Sequence, residues 1–324
     1  MLAFAEIGIW HWTGFLVAVL VFLALDLGVF HRSAHVVKFK EALAWTVIWF
    51  FLAMGFAFFI APAIIGASWT PTDRVEFITG YILELSLSMD NVFVIALIFS
   101  FFRVPPELQH RVLFWGILGA LVMRGAMIGV GAALVKQFGW ILHIFGGFLV
   151  FTGFKMLMAR EDEEVHPEKN PVIRLARRFF PISARMDGQK FVTVENGRRA
   201  LTPLAMVLIM VETTDLIFAV DSIPAIFAVT RNVFIIFTSN VFAILGLRSL
   251  YFVLAGAIGC FRYLKIGLSV VLIYIGIKML LMIWHIEIPI GLSLGVVVGI
   301  IATSILASLI AAAREKRTPP AAGL

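Results

Sequence analysis

Five carboxylates sit inside two hydrophobic runs of this chain. Glu84 and Asp90 lie in LELSLSMDNVFVIALIF (83–99), and Glu212, Asp215 and Asp221 lie in VETTDLIFAVDSIP (211–224). An ionised group at the centre of a bilayer costs at least about 2.5–3.5 kcal/mol, so such a cluster needs a partner or a cargo. Ser86, Ser88, Asn91, Thr213, Thr214 and Ser222 place hydroxyl and amide groups among the acids. At about 100° per residue, Glu84, Ser88 and Asn91 share one helix stripe, with Asp90 about 120° away. Asp215 and Ser222 form the matching stripe, flanked by Glu212. Pro224 cannot donate to the carbonyl of Val220, which predicts a broken helix and a freed oxygen beside Asp221. Carboxylate, amide, hydroxyl and carbonyl oxygens, with no Cys or His nearby, form a hard donor set suited to Mg²⁺, Ca²⁺ or Mn²⁺. The same acids also fit a proton relay without metal, or structural ion pairs with Arg124 and Arg248, the two arginines expected near mid-depth. Both arginines are expected to pair with the acids when no dication is bound. Counted from the predicted span ends, Asp90 matches Asp215 in depth and Glu84 matches Asp221, giving two carboxylate layers about 9 Å apart.

The elements that carry these residues follow from composition. Of 324 residues, 61% are hydrophobic and 14% charged, and the mean hydropathy is +1.00; a chain this apolar is an all-α integral membrane protein. Nine windows are long enough to cross: 7–30, 43–65, 75–102, 111–135, 138–158, 203–229, 232–260, 263–284 and 289–312. The first has no basic n-region, so it reads as a retained span. Lys and Arg alternate by loop, nineteen on one side and three on the other, which predicts an outer N-terminus and a cytoplasmic C-terminus. The net charge of +6 is thereby topological, and no nucleic-acid partner is expected. A single cysteine, Cys260, leaves no internal disulfide or thiolate cluster. Metalloprotease, P-loop and nucleophile-elbow motifs are missing, so neither an enzyme nor a prosthetic cofactor is expected. Lys155 and Lys278, near span ends, read as snorkelling side chains. His11, His143 and His285 and most tryptophans read as interfacial.

The chain reads as one polytopic domain over 1–324 with a doubled half. SMDNVFVIALIF (88–99) matches AVDSIPAIFAVT (219–230), putting Asp90 over Asp221 and Glu84 over Asp215, each pair 131 positions apart. Arg124 answers Arg248, Gly153 answers Gly276 and Lys155 answers Lys278. Spans 3–5 (75–158) thus pair with spans 6–8 (203–284), and an odd number of spans per copy makes the repeat inverted, as in transporters with a midplane site. Between the copies, 159–200 reads as a cytoplasmic linker with a short hairpin across Asn196-Gly197. Asp26, in ALDLGVFHR, reads either as a helix-end acid paired with His31 or Arg32 or as a cytoplasmic access residue.

ELSLSMDNVFVIALIF, VETTDLIFAVDSIPAIFAVT, SNVFAILGLRSLYF and ALDLGVFHR closely resemble the TerC family of bacterial integral membrane proteins, from about Asp26 to the end of the eighth span. The resemblance implies an inner-membrane exporter of Mn²⁺. The family name comes from a tellurite phenotype, but acids outnumber arginines at this site, which disfavours an oxyanion cargo. By resemblance, Glu84, Asp90, Glu212, Asp215 and Asp221 carry the ion, with Asn91, Ser222 and Asn240 as helpers and Asn240 also a candidate access residue. The expectation is Mn²⁺ efflux by alternating access, coupled to proton entry, with Mn²⁺ as transported ion rather than cofactor. The bilayer is the other partner, and a homo-oligomer is compatible with the topology. The competing readings are a non-transporting metal-delivery or stress scaffold acting through 159–200, and a proton or Ca²⁺ pathway.

Overall fold

Hydrocarbon offers no partner to a free peptide group, so the chain crosses it as helices. The computed structural model describes residues 7–25, 39–158, 171–183, 185–195, 197–255, 263–286 and 288–315. Among them, eight helical segments are long and apolar enough to span a bilayer, and a ninth apolar helix, α1 (Ile9–Leu25), is shorter. α2 (Phe39–Gly55) runs through a π-turn at Phe56–Ile60 into α3 (Ala61–Ile65). Then follow α4 (Pro71–Phe101), α5 (Pro106–Gln137) and α6 (Ile141–Met158). The short α7 (Pro171–Phe179) and a two-stranded hairpin, β1 (Val192–Glu195) and β2 (Arg198–Leu201), precede α8 (Pro203–Phe227), α9 (Val233–Ala255), α10 (Leu264–Leu281) and α11 (Ile290–Glu315). The all-α membrane architecture is as expected. Asp26, His31 and Arg32 lie outside the described residues, so the reading of Asp26 stays an expectation.

Local chemistry sets the helix ends. Thr70 caps α4 by accepting from the Asp73 N–H while the Asp73 carboxylate takes the Thr70 N–H, with Pro71 at the first helical position, satisfying donors the helix cannot pair itself. Thr202 caps α8 in the same position. The π-turn absorbs a proline: Ala61 N–H bonds Phe56 O five residues back, and in that register the donor for Ala57 O would be residue 62, which is Pro62. The Trp69 indole takes that place, donating to Ala57 O at 3.0 Å. Pro224, by contrast, leaves α8 unbroken. The expected helix break is absent; Val220 has no donor in Pro224, and its side chain is 44% exposed, facing outward.

α9 lies innermost, packed on α2, α4 and α5, while α8 packs on α4, α5 and α6. α6 and α10 form the closest pair, with α11 on the other side of α10. Their approach needs glycine: a methyl on Gly276 would meet Gly146 O at 2.7 Å, and one on Gly153 would meet Ser269 O at 2.9 Å. Two apolar cores result. One holds Phe99, Val112, Ile173, Met206 and Tyr251 beside the hairpin; the other holds Phe56, Phe77, Ile223, Phe227 and Phe234 toward the opposite end. On α4 the polar stretch Glu84–Asn91 lies between Leu83 of one core and Val92 of the other. On α8, Glu212 and Asp215 lie between Val211 and Ala219.

The hairpin forms where the sequence places it. Glu195 pairs with Arg198, leaving a two-residue connection whose second residue, Gly197, has φ 75°, a conformation glycine adopts without strain. Nearby, Lys190 and Thr193 donate to Asp187 at 3.1 and 2.9 Å, and these bonds hold its carboxyl below the usual carboxylate range.

Candidate functional site

One guanidinium organises the polar layer. Arg124, 1% exposed in the middle of α5, donates from Nε to Asp215 Oδ2 at 3.0 Å and from Nη2 to Asp215 Oδ1 at 2.7 Å. Its Nη1 is ion-paired to Glu84 Oε1. Glu84 is 2% and Asp215 8% exposed, so three charges from α4, α5 and α8 meet out of water. One guanidinium serves two carboxylates here, which leaves the group one positive charge short of neutrality, and its geometry is the planar fork that arginine alone provides. Ser88, one turn from Glu84, donates to Glu84 Oε1 at 3.4 Å.

The acids do not pair in depth as expected. Glu84 and Asp215 touch the same guanidinium, so their carboxylates form one layer rather than two about 9 Å apart. Counting from helix ends failed because a buried arginine draws both acids to its own position. Asp90 and Asp221 do not join this clamp. Each lies six residues, about 9 Å along its own helix, from its clamped neighbour, Asp90 toward the hairpin end and Asp221 toward the other. Asp90 is half-buried within electrostatic reach of Lys265, and Asp221 is half-buried within reach of Lys155. Among the described residues no group of three or more His, Cys, Asp or Glu side chains is arranged to hold a metal ion. The five acids are therefore a clamp with two outliers and a neighbour, not a ready-made cage.

That neighbour is Glu212, half-buried three residues before Asp215. Its Oε2 is buried with no hydrogen-bond partner among the described residues. Gly119 of α5 makes room for it, since a methyl there would overlap the Glu212 carboxylate. Nothing in the hydrophobic pattern singles out Gly119; its signal is only a residue without a side chain five positions before a membrane arginine. Three predicted helpers are buried: Asn91 (4%), Ser222 (4%) and Asn240 (1%). Ser222 Oγ and Asn240 Nδ2 have no hydrogen-bond partner among the described residues. Arg248 is not in the clamp. It lines a separate crevice with Phe22, Trp45, Trp49 and Phe252, so the expected second counter-charge sits elsewhere in the bundle.

A family model described as the integral membrane protein TerC family matches residues 69–316. This chain belongs to the TerC family. The TerC match begins just before α4 and spans both acidic motifs. Among relatives, the uncharacterized membrane protein STKORF319 of Myxococcus xanthus is 53% identical over 301 residues, 92% of each chain. Alx of Escherichia coli K12, provisionally named a membrane-bound redox modulator, is 48% identical over 295 residues, 90% of this chain and 91% of that one. An uncharacterized membrane protein of Rickettsia bellii is 38% identical over 299 residues, covering 92% of this chain and 97% of its own. No solved structure matches this TerC chain.

Proposed function

We propose that this protein exports a divalent cation, Mn²⁺, from the cytoplasm across the inner membrane in exchange for protons, with its N-terminus outside and its C-terminus inside. The observation that carries this reading is the clamp: Glu84 and Asp215 are buried at the centre of the bundle and held together by Arg124. The guanidinium occupies the position a dication would take between the two carboxylates. When a cation arrives, Arg124 gives way, and Glu84, Asp215 and Glu212 become hard oxygen donors, with Asn91 and Ser222 supplying neutral ones. Asp90 receives the ion from the hairpin side and Asp221 passes it on. Carboxylates left close together without metal or arginine cannot all stay charged, so they take up protons, which couples release to proton entry. Manganese comes from the family resemblance; the donor chemistry by itself supports Ca²⁺ and Mg²⁺ equally.

An inverted repeat over 75–158 and 203–284 supplies the moving parts, joined by 159–200. In its favour, α4 packs on α9 as α5 packs on α8, and α6 packs on α10, the pairings that a two-fold relation between these halves requires. The clamp also joins Glu84 to Asp215, the two positions the repeat makes equivalent. The redox name of the Alx relative adds no competing chemistry at this site: with one cysteine in the chain, internal dithiol exchange has no second sulfur.

The test is flux. Purified protein in liposomes should carry Mn²⁺ with outward proton movement matched to inward metal, and Glu84→Gln or Asp215→Asn should each cut initial flux at least tenfold. Flux equal to the parent in both variants would remove the reading.

A further inference from the structure

At the hairpin end of the bundle, apolar and basic side chains share one exposed surface. α7 reads PVIRLARRF, nine residues with three arginines and no acid. At about 100° per residue, Val172, Leu175 and Phe179 fall within about 60° of one another, with Arg178 and Arg174 beyond one edge of that arc and Ile173 beyond the other. The fold uses the three faces differently. Ile173 is 1% exposed and shares a core with Val104, which follows α4, and with Leu204 and Met206 of α8. Leu175 and Phe179 are 55% and 69% exposed, and Phe180, just past the helix, is 52% exposed. Arg174 and Arg178 are exposed as well. Arg103, Arg185 and Arg198 add exposed positive charge at this end, whereas the acids Asp187 and Glu195 accept hydrogen bonds from Lys190 and Ser183.

A contiguous apolar face of this kind calls for a cover, and the bilayer is within reach. α4 ends at Phe101, α5 begins at Pro106 and α8 begins at Pro203. Because Ile173 is packed among those ends, α7 stands at the level where three spanning helices leave the hydrocarbon. A helix that is apolar on one arc, basic beside it and held at that level suits the boundary between acyl chains and headgroups. We propose that α7 docks onto anionic phospholipid of the leaflet it meets. Leu175, Phe179 and Phe180 seat among the upper acyl segments, and Arg174 and Arg178 bind the headgroup phosphates. Charge complementarity selects this occupant: a zwitterionic headgroup offers the arginines no net charge, and the same basic face of a second copy would repel them. Docking ties the segment between α6 and α8 to the membrane surface, whatever ion the clamp carries.

The test uses the full chain with Cys260→Ser and one new cysteine, Leu175→Cys or Phe179→Cys, labelled with bimane. The protein is reconstituted in phosphatidylcholine liposomes that carry, at equal mole fraction, either phosphatidylglycerol or phosphatidylcholine with a nitroxide high on the acyl chain. Bimane should be quenched at both positions, and phosphatidylglycerol should be preferred over phosphatidylcholine by about fivefold or more, the factor that one arginine beside an anionic surface gives. Arg174→Gln combined with Arg178→Gln should bring that preference close to unity. Each cysteine position leaves the other apolar side chain in place, so if one variant fails to fold the second carries the test. Three results would overturn the docking: no quenching by either lipid, which would mean that water or protein covers this face; equal quenching by the two headgroups; or a preference that survives loss of both arginines.

Discussion

Arg124 is the residue on which the site turns, and its removal separates charge from packing. Arg124→Gln should destabilise the protein by about 3–5 kcal/mol, the usual cost of stripping one partner from a buried ion pair. The midpoint of thermal unfolding in detergent reads it. Arg124→Lys should recover only part, because an ammonium cannot fork to two acids. The neutral combination Arg124→Met, Glu84→Gln and Asp215→Asn should be more stable than Arg124→Gln alone, since no buried charge is left bare. Gly119→Ala should lower Mn²⁺ flux with little change in unfolding midpoint, by displacing the Glu212 carboxylate from its recess. At this scale the sequence was informative wherever a residue contradicted its surroundings: an acid or arginine in a greasy run announces itself. Lys278 is the exception: expected to snorkel from a span end, it is only 8% exposed, because position near a helix end does not reveal which way a side chain turns.

Among elements, the α6–α10 contact is the most exacting. Gly276→Ala puts a methyl 2.7 Å from Gly146 O and from Val150 Cγ2, and should cost about 1–3 kcal/mol, as overpacking does. The same change at Gly299, where a methyl meets nothing within 4 Å, should be nearly silent, and comparing the two unfolding midpoints checks the packing. The hairpin offers a pH test outside the membrane. The Asp187 carboxyl is held below its ordinary range by Lys190 and Thr193, so its contribution is present above the usual aspartate pKa of about 3.9 and is lost as pH falls through the lowered native value. Amide exchange in the Asp187–Thr193 turn, corrected for intrinsic rate, should accelerate below that pH and become insensitive to it in Asp187→Asn. Helix positions and the Asn196-Gly197 turn were readable because length, hydropathy and turn chemistry are local. The π-turn was not, since it depends on Trp69 reaching Ala57 from twelve residues away.

For the whole molecule, the membrane class and the order of spans follow from apolar length alone, whereas the partners of each helix do not. The two-core arrangement shows why: the membrane-length helices are apolar on most faces, so only polar residues and glycines mark which face meets which. Even those signals gave the clamp its members but not its geometry. The clamp also constrains how the chain is made. Arg124 leaves the ribosome 91 residues ahead of Asp215, roughly 5–20 s at ordinary rates of synthesis. Glu84 comes earlier than both, so α4 and α5 can enter lipid as a self-neutralised pair and wait for the third member. In Glu84→Gln the nascent arginine has no companion during that interval. Insertion of α5 should then falter in a truncated chain ending before α8, while a chain carrying the native glutamate inserts normally; glycosylation-site mapping of the two truncations reads the difference.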